Sequence, residues 1–231
     1  MDDDLAVARW RAMRMDADDH GRLAGFWAAT LGLSPADADD GAIVLLGDSD
    51  AQQIVIDHVP EPKSVKHRVH VDVDVGDIDG VRMLGATIVR APDDEIHWWV
   101  MADPEGGEFC AFVREGRPSL PGRLYEVVVD CVDPHAQARW WGEVFGLVPE
   151  GEPHEHVAAL EGGDRLPFDY LCFVPVPEPR TAPNRIRWDI TTTDVATLVG
   201  YGATILSRAT DDQPWFAMAD PEGNEFRAFT P

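Results

Sequence analysis

The chain has 231 residues, 45% of them hydrophobic, and its 20 Gly and 18 Pro indicate a globular protein with many turns. Its 19 basic and 42 acidic residues leave a formal net charge of −23, which disfavours nucleic acid as a partner because a polyanion would be repelled. No apolar run approaches the length of a membrane span, and the acidic start is unlike a signal peptide. Three widely spaced cysteines without a Cys-x-x-Cys pair fit reduced thiols. We therefore expect a cytoplasmic protein with no membrane partner.

The first half of the chain begins with a predicted strand, WRAMRMD at residues 10–16, and an apolar helical pattern over residues 18–33. Asp19 is placed to cap this helix, and Gly32 to end it. A short helical segment is predicted later, at residues 77–84. The remaining predicted strands are short runs rich in β-branched or aromatic residues, at 42–46, 53–59, 68–75, 97–103 and 107–113.

The second half repeats this order. A strand at residues 125–131 precedes a helical pattern at 133–147 that Asp133 caps and Gly146 ends. The other predicted elements are strands at 157–160, 169–176, 185–191, 214–220 and 224–230 and a short helix at 193–201. The order β-α-β-β-β occurs twice in each half, which predicts an α+β fold with curved, mostly antiparallel sheets around cavities.

A direct comparison of the two halves shows an internal repeat. Residues 85–114 and 202–231 share 16 identical positions, and both contain the sequence MADPEG followed by a Phe-rich strand. The two copies predict a domain at residues 1–117, a linker at 118–123 and a second domain at 124–231. An Asp-Pro-Glu-Gly turn explains the repeated motif by backbone geometry. The copies differ where Cys110 of the first stands in place of Arg227 of the second.

The repeated Trp-x-x-Met-Ala-Asp-Pro-Glu-Gly motif, the strand RVHVDVDV ahead of LGATIV, and the helix that runs into Gly-Leu together resemble the glyoxalase-like branch of the vicinal oxygen chelate superfamily. This superfamily includes bleomycin-resistance proteins and extradiol dioxygenases. The resemblance covers nearly the whole chain, twice, and implies a tandem glyoxalase/bleomycin resistance/dioxygenase fold. It does not imply one function, since the fold carries isomerases, dioxygenases, lyases and ligand-sequestering proteins.

The resemblance also implies positions for a divalent metal, on the first, fifth and eighth strands of a domain. In the first copy these positions hold Ala12, His70 and Cys110. In the second copy they hold Glu126, Arg187 and Arg227. Neither domain alone has a full ligand set, because alanine cannot ligate and arginine repels a metal.

Two arrangements of the repeats remain open. If the domains exchange halves, Glu126, His70 and Cys110 would share one cavity and could hold Zn, Fe, Mn or Ni. Without exchange, Glu126 would instead meet Arg187 and Arg227 in an ion-paired site.

The other candidates are aromatic. Trp98 and Trp215 precede the repeated turn at equal spacing, where they would either line a cavity mouth or pack beneath the turn. Trp27, Trp140 and Trp141 are predicted in the helix-to-sheet core. His154 and His156, two residues apart, are predicted to be surface histidines.

The sequence favours a metal-independent protein that binds a small molecule, such as a metabolite or an antibiotic, with no cofactor. The predicted ligand-binding residues are His70, Trp98, Cys110, Glu126, Arg187, Trp215 and Arg227. The alternative is a lyase, isomerase or dioxygenase that uses a divalent metal held by His70, Cys110 and Glu126 on a vicinal-oxygen substrate. In either case the chain is a monomer whose two domains form a pseudo-dimer, or a homodimer.

Overall fold

The computed structural model describes residues 6–151 and 156–231, so the predicted His154 lies outside the described residues. The described elements follow the predicted order β-α-β-β-β four times along the chain, although the first strand after each helix is absent from the predicted ranges. The elements of the first repeat are β1 (Ala8–Ala17), α1 (His20–Leu31), β2 (Ser34–Asp37), β3 (Ile43–Leu46), β4 (Ile54–His58), β5 (Val69–Val75), α2 (Ile78–Met83), β6 (Thr87–Arg90), β7 (Trp99–Ala102) and β8 (Glu108–Val113). A 3-10 helix (Asp50–Gln52) precedes β4.

The elements of the second repeat are β9 (Arg123–Cys131), α3 (Pro134–Phe145), β10 (Pro149–Glu150), β11 (Ala158–Glu161), β12 (Tyr170–Pro175), β13 (Ile186–Thr192), α4 (Val195–Gly200), β14 (Thr204–Ser207), β15 (Trp215–Ala219) and β16 (Glu225–Phe229). The strands belong to two curved eight-stranded sheets. Sheet A has the order β14-β15-β16-β13-β1-β4-β3-β2, and sheet B the order β10-β11-β12-β9-β5-β8-β7-β6.

Each sheet therefore combines the first half of one repeat with the second half of the other. In sheet A, β1 pairs antiparallel with β13, and in sheet B, β5 pairs antiparallel with β9. The structure thus has the exchanged arrangement, in which Glu126 shares a sheet with His70 and Cys110 rather than with Arg187. The sheets are mostly antiparallel, with parallel pairs β1–β4, β5–β8, β9–β12 and β13–β16.

The two long helices begin and end at the predicted residues. The Asp19 carboxylate accepts a hydrogen bond from the main-chain N–H of Arg22, and α1 ends at Gly32 in the left-handed conformation, with φ of 70°. In α3, Asp133 caps in the same way and Gly146 ends the helix with φ of 66°. A left-handed residue at a helix end is easiest for glycine, which has no Cβ to clash.

The repeated Asp-Pro-Glu-Gly turn joins the two sheets. The carboxylate of Asp103 accepts hydrogen bonds from the main-chain N–H groups of Glu105 and Gly107, which closes the turn. The carboxylate of Glu105 then accepts from the main-chain N–H groups of Asp18 and Asp19, at the start of α1. Because β7 and β8 lie in sheet B whereas β1 lies in sheet A, the motif ties one sheet to the chain leaving the other.

The second copy makes the same connection. The carboxylate of Glu222 accepts from the N–H groups of Val132 and Asp133, 2.7 and 2.8 Å away, at the start of α3. The indole Nε1 of Trp141 on α3 donates to the buried Asp220 of the same turn, at 3.2 Å. The glutamate of the motif therefore has a role that turn geometry alone does not explain.

Among the described residues, the main hydrophobic core runs between the two sheets around α1 and α3, and a small second cluster contains Ala12, Ala42 and Val55. Trp27 on α1 packs edge-to-face on Phe109 of sheet B, with ring centroids 5.2 Å apart. Trp141 on α3 packs in the same way on Phe226 of sheet A, at 5.3 Å. Trp27, Trp140 and Trp141 are buried, which confirms their predicted place in the core.

Two glycine-to-alanine variants test how tightly the linker packs. A Cβ on Gly76 would lie 2.3 Å from the carbonyl oxygen of Pro118, so Gly76→Ala should destabilise the protein by about 1–3 kcal/mol. The control is Gly25→Ala in the exposed face of α1, where a Cβ meets nothing within 4 Å. It should raise stability by about 0.5–1 kcal/mol. Urea unfolding measures both changes, and equal effects of the two variants would contradict the close approach of the linker.

Candidate functional site

The polar face of β5 is the starting point of the site in sheet B. Valines alternate along β5 with His70, Asp72 and Asp74, and the valines enter the core. Since side chains alternate across a strand, His70, Asp72 and Asp74 share the opposite face. That face is the side of sheet B turned away from the valines of the core.

His70, Asp72 and Cys110 lie close enough to hold one metal ion. One ligand atom of each residue lies within 4.8 Å of the others. Asp72 pairs in register with Cys110 on β8 and with Glu126 on β9, so three strands bring these side chains into one row. The Oδ1 atom of Asp72 is buried, lies 3.5 Å from Nε2 of His70 and has no hydrogen-bond partner. A buried carboxylate oxygen without a hydrogen bond lowers the stability of the folded state, and a cation or a hydrogen-bond donor of a ligand would remove this cost.

Burial governs the protonation of the cluster. It lowers the pKa of His70 to about 4, so the imidazole is neutral at neutral pH. Burial, aided by the charge of Glu126, raises the pKa of Asp72 to about 7, and hydrogen bonds from Cys110 oppose this only in part. Burial also raises the pKa of the Cys110 thiol, with Asp72 adding to the effect. Without a cation, burial therefore opposes the ionisation of Asp72 and Cys110.

Glu126 lies beside this cluster with partners of its own. The Cys172 thiol on β12 donates to Oε2 of Glu126 at 3.6 Å. The Tyr125 side chain also hydrogen-bonds Glu126, and burial raises the pKa of the Glu126 carboxyl. Two carboxyl groups, Asp72 and Glu126, thus face each other on neighbouring strands.

An aromatic wall borders the cluster. Phe112 follows Cys110 by two residues on β8 and therefore shares its face. Trp98 stacks on Phe112 with ring centroids 5.6 Å apart, and Phe112 meets Tyr125 edge-on at 5.7 Å. The guanidinium of Arg114 lies over Phe112 and over Tyr125, at 5.0 and 5.1 Å from the ring centroids. Trp98 thus lies at the rim of the same face as Cys110.

The equivalent face of sheet A is occupied by ion pairs. The guanidiniums of Arg14, Arg187 and Arg227 converge on Oδ2 of Asp57, at 3.0, 3.3 and 3.6 Å. Asp16 binds Arg187 through both carboxylate oxygens, at 2.6 and 2.7 Å.

Two further contacts complete this network. Asp189, the counterpart of Asp72, lies 3.6 Å from Arg14. Arg227 also lies over the Trp215 ring, 4.5 Å from its centroid. Three arginines thus face three aspartates, so the formal charges within this network balance.

The predicted site residues fall on the two faces. His70, Cys110, Glu126 and Trp98 share the face of sheet B, and Arg187, Arg227 and Trp215 share that of sheet A. Sequence reasoning did not select Asp72, Cys172, Arg14 or Asp57. The alternation of charged residues with valine in RVHVDVDV is the signal that could have identified Asp72, because a buried strand rarely carries acids without a purpose.

The chain belongs to the glyoxalase-like family of the vicinal oxygen chelate superfamily and contains two copies of its domain. The family model described as a glyoxalase-like domain matches residues 12–112 and 126–229. Among curated proteins, no sequence matches the chain significantly. Among the described residues, no helix is long and apolar enough to cross a membrane.

Solved structures share the fold at low sequence identity. Glyoxalase I from Zea mays is 16% identical with a TM-score of 0.69, over 96% of this chain and 92% of that one. A putative dioxygenase from Bacillus subtilis is 12% identical with a TM-score of 0.66, over 97% and 86% of the two chains. The cppA protein from Streptococcus pneumoniae is 12% identical with a TM-score of 0.53, over 97% of this chain and all of that one.

The shared carboxylate of sheet A gives a stability prediction. Asp57→Ala leaves three guanidiniums without their common partner and should lower the free energy of unfolding by about 3–5 kcal/mol. The control Asp79→Ala removes the partner of Arg82 in an exposed pair. It should change stability by less than about 1 kcal/mol. Urea unfolding at neutral pH measures both, and a small loss in Asp57→Ala would contradict a structural role for these ion pairs.

Asp72 gives a pH prediction for the metal-free protein. Because its folded pKa of about 7 exceeds the usual 3.8, the folded state keeps a proton that the unfolded chain loses as the pH rises from 4 to 7. The contribution of Asp72 to stability therefore falls across this window. Asp72→Asn should remove that decline and be more stable than the wild type at pH 8, measured by urea unfolding with EDTA present. Asp79→Asn, on the surface, is the control, and a parallel pH profile for Asp72→Asn and wild type would refute the assignment.

Proposed function

We propose that the chain binds a small molecule on the polar face of sheet B, at a divalent cation held by His70, Asp72 and Cys110. The observation that carries the proposal is the buried Oδ1 atom of Asp72, which has no hydrogen-bond partner and lies 3.5 Å from Nε2 of His70, in a residue that clusters with His70 and Cys110. This reading favours the metal-dependent alternative over the metal-independent one. It also replaces Glu126 by Asp72 as the carboxylate ligand.

The donor set fits a transition metal. Imidazole, carboxylate and thiolate together suit Zn²⁺ or Fe²⁺ better than Mg²⁺ or Ca²⁺, which prefer oxygen. Ligand atoms around one zinc ion lie about 3–4 Å apart, because each is about 2.0–2.3 Å from the metal. The 3.5 Å between Nε2 of His70 and Oδ1 of Asp72 agrees with this spacing. A cation would also compensate the charge that burial opposes at Asp72 and Cys110.

Residues around the cluster suit the handling of a substrate. A divalent ion with open coordination positions supplies Lewis acidity to two neighbouring oxygens of a bound molecule. Glu126 lies outside the three-residue cluster, and its raised pKa suits a carboxyl group that holds or accepts a proton. The wall formed by Trp98, Phe112 and Tyr125 offers apolar surface for a flat substrate. These roles support a lyase, isomerase or dioxygenase, without choosing among them.

Metal binding tests the proposal directly. Purified protein, equilibrated with Zn²⁺ and dialysed, should contain about one zinc per chain by elemental analysis. His70→Ala, Asp72→Ala and Cys110→Ala should each weaken zinc binding by more than about tenfold. The matched control is Cys131→Ala. Like Cys110, Cys131 is a buried thiol, but it lies at the end of β9 and belongs to the hydrophobic core.

Cobalt(II) provides a second readout that does not depend on activity. A thiolate ligand gives a charge-transfer band in the near ultraviolet, which Cys110→Ala should abolish and Cys131→Ala should retain. Absence of metal from the wild type, or binding that survives all three substitutions, would rule out this centre.

The metal-independent alternative uses the same face. Two contacts favour this alternative: the hydrogen bond between Cys110 and Asp72, and the stacking of Trp98 on Phe112. Both contacts form without a cation. In that case aromatic ligands should change the tryptophan fluorescence equally with and without EDTA. Trp98→Leu should abolish the change, and Trp215→Leu, at the equivalent position of sheet A, is the control. A response that disappears with EDTA would support the metal centre instead.

Arg187, Trp215 and Arg227 remain predicted ligand residues of sheet A. The ion pairs of both arginines with aspartates favour a structural role, because a ligand anion would have to compete with Asp16 and Asp57.

A further inference from the structure

A cavity of about 680 Å³ lies outside the cluster just described. It is bounded by two segments at corresponding positions of the repeats, residues 59–68 and 176–185, which join β4 to β5 and β12 to β13. These segments carry the chain from one sheet to the other. The volume falls within the range of about 300–1,000 Å³ typical of small-molecule sites.

Two guanidiniums at equivalent positions line this cavity. Arg185 donates to the main-chain carbonyl oxygens of Asp16 and Glu61, at 3.2 and 2.7 Å. Arg68 donates to the carbonyl oxygen of Glu178. In the part of the chain that the structure describes, neither guanidinium forms an ion pair with a carboxylate, and Nη2 of Arg185 is buried without a hydrogen-bond partner. Arg68 and Arg185 therefore carry two positive charges that no carboxylate of the described residues pairs with directly, in a chain of net charge −23, and Nη2 of Arg185 can still donate a hydrogen bond.

The acidic groups of the lining do not cancel these charges directly. Asp130 is paired with Lys66 at 2.7 Å, and the carboxylate of Asp16 is held by Arg187. Glu61 and Glu178 are exposed, so solvent and salt screen their carboxylates.

His67 adds an uncommitted polar group. Both of its ring nitrogens are buried and have no hydrogen-bond partner. The ring packs on the repeated turn, since a Cβ on Gly107 would lie 2.9 Å from its Cε1 atom. Burial lowers the pKa of His67 to about 4, so at neutral pH the ring offers one donor and one acceptor.

We propose that this cavity is a second binding site, which takes a small carboxylate or phosphate ester between Arg68 and Arg185. Guanidinium forks match the geometry of both anions. The apolar part of the ligand would contact the side chains that line the rest of the cavity, which include Val59, Pro62, Val65, Pro179, Ala182 and Pro183.

The second site is adjacent to the proposed metal centre but does not use its ligands. None of His70, Asp72, Cys110 and Glu126 lines the cavity. Anion binding should therefore persist in the presence of EDTA, and the two proposals can fail independently.

Calorimetric titration of the full chain in EDTA tests the site, with inorganic phosphate and succinate as separate probes. We expect saturable binding of at least one probe at one site per chain. Arg185→Met and Arg68→Met should each weaken it about tenfold or more, the loss expected for a hydrogen bond to a charged group. The matched control is Arg82→Met, whose guanidinium pairs with the exposed Asp79 on α2.

The outcomes separate the sources of the anion. Binding of phosphate alone indicates a phosphate ester, and binding of succinate alone indicates a carboxylate. No binding of either probe, or equal loss in Arg82→Met, would overturn the proposal. Thermal unfolding checks that each variant is folded, and if Arg185→Met does not fold, Arg68→Met carries the test. His70→Ala should lose metal but retain the anion.

Discussion

The antiparallel pairing of β1 with β13 and of β5 with β9 is the constraint on which both faces depend. These ladders join halves of different repeats, so they decide which side chains meet. In sheet B the register places Asp72 opposite Glu126 and beside Cys110. A slip of one residue in a strand would turn these groups toward the core. The Glu105 and Glu222 contacts with the starts of α1 and α3 reinforce the same arrangement, because each ties a turn of one sheet to the chain leaving the other.

The two faces share a backbone plan but differ in charge. Asp72 in sheet B and Asp189 in sheet A occupy equivalent positions, and in each one carboxylate oxygen has no hydrogen-bond partner. Burial raises the pKa of Asp189, and the charges of Arg14, Arg227 and Arg187 oppose this rise, whereas Asp72 lies among histidine, cysteine and another carboxyl group. Burying a charge is tolerated only when it is paired. The face of sheet A is therefore complete as it stands, and the face of sheet B is the one suited to an added cation.

Local patterns in the sequence predict the central strands, the described α-helices α1 to α4 and the caps at Asp19 and Asp133, because burial and capping leave signals in the residues themselves. The four strands that those patterns miss, β2, β6, β10 and β14, are the outer edges of the two sheets. Edge strands are short and exposed, so they lack a regular alternation. Local patterns do not decide whether the halves exchange, since the strands of both repeats look alike and strand pairing depends on contacts between residues far apart in the chain. The resemblance does not point to Asp72, because Asp72 aligns with no ligand position of the family.

Because the halves are exchanged, the covalent link between the repeats affects how the two faces can differ. Two identical chains that paired in this way would build two identical faces, and every substitution would appear in both. Joining the copies in one chain removes that symmetry. Each face then combines the first half of one copy with the second half of the other, and the four halves can vary separately. Cys110 and Arg227, which stand at the same place in the two repeats, show the result. The fusion allows the face of sheet A to carry a network of ion pairs, while the face of sheet B keeps a cluster of possible metal ligands.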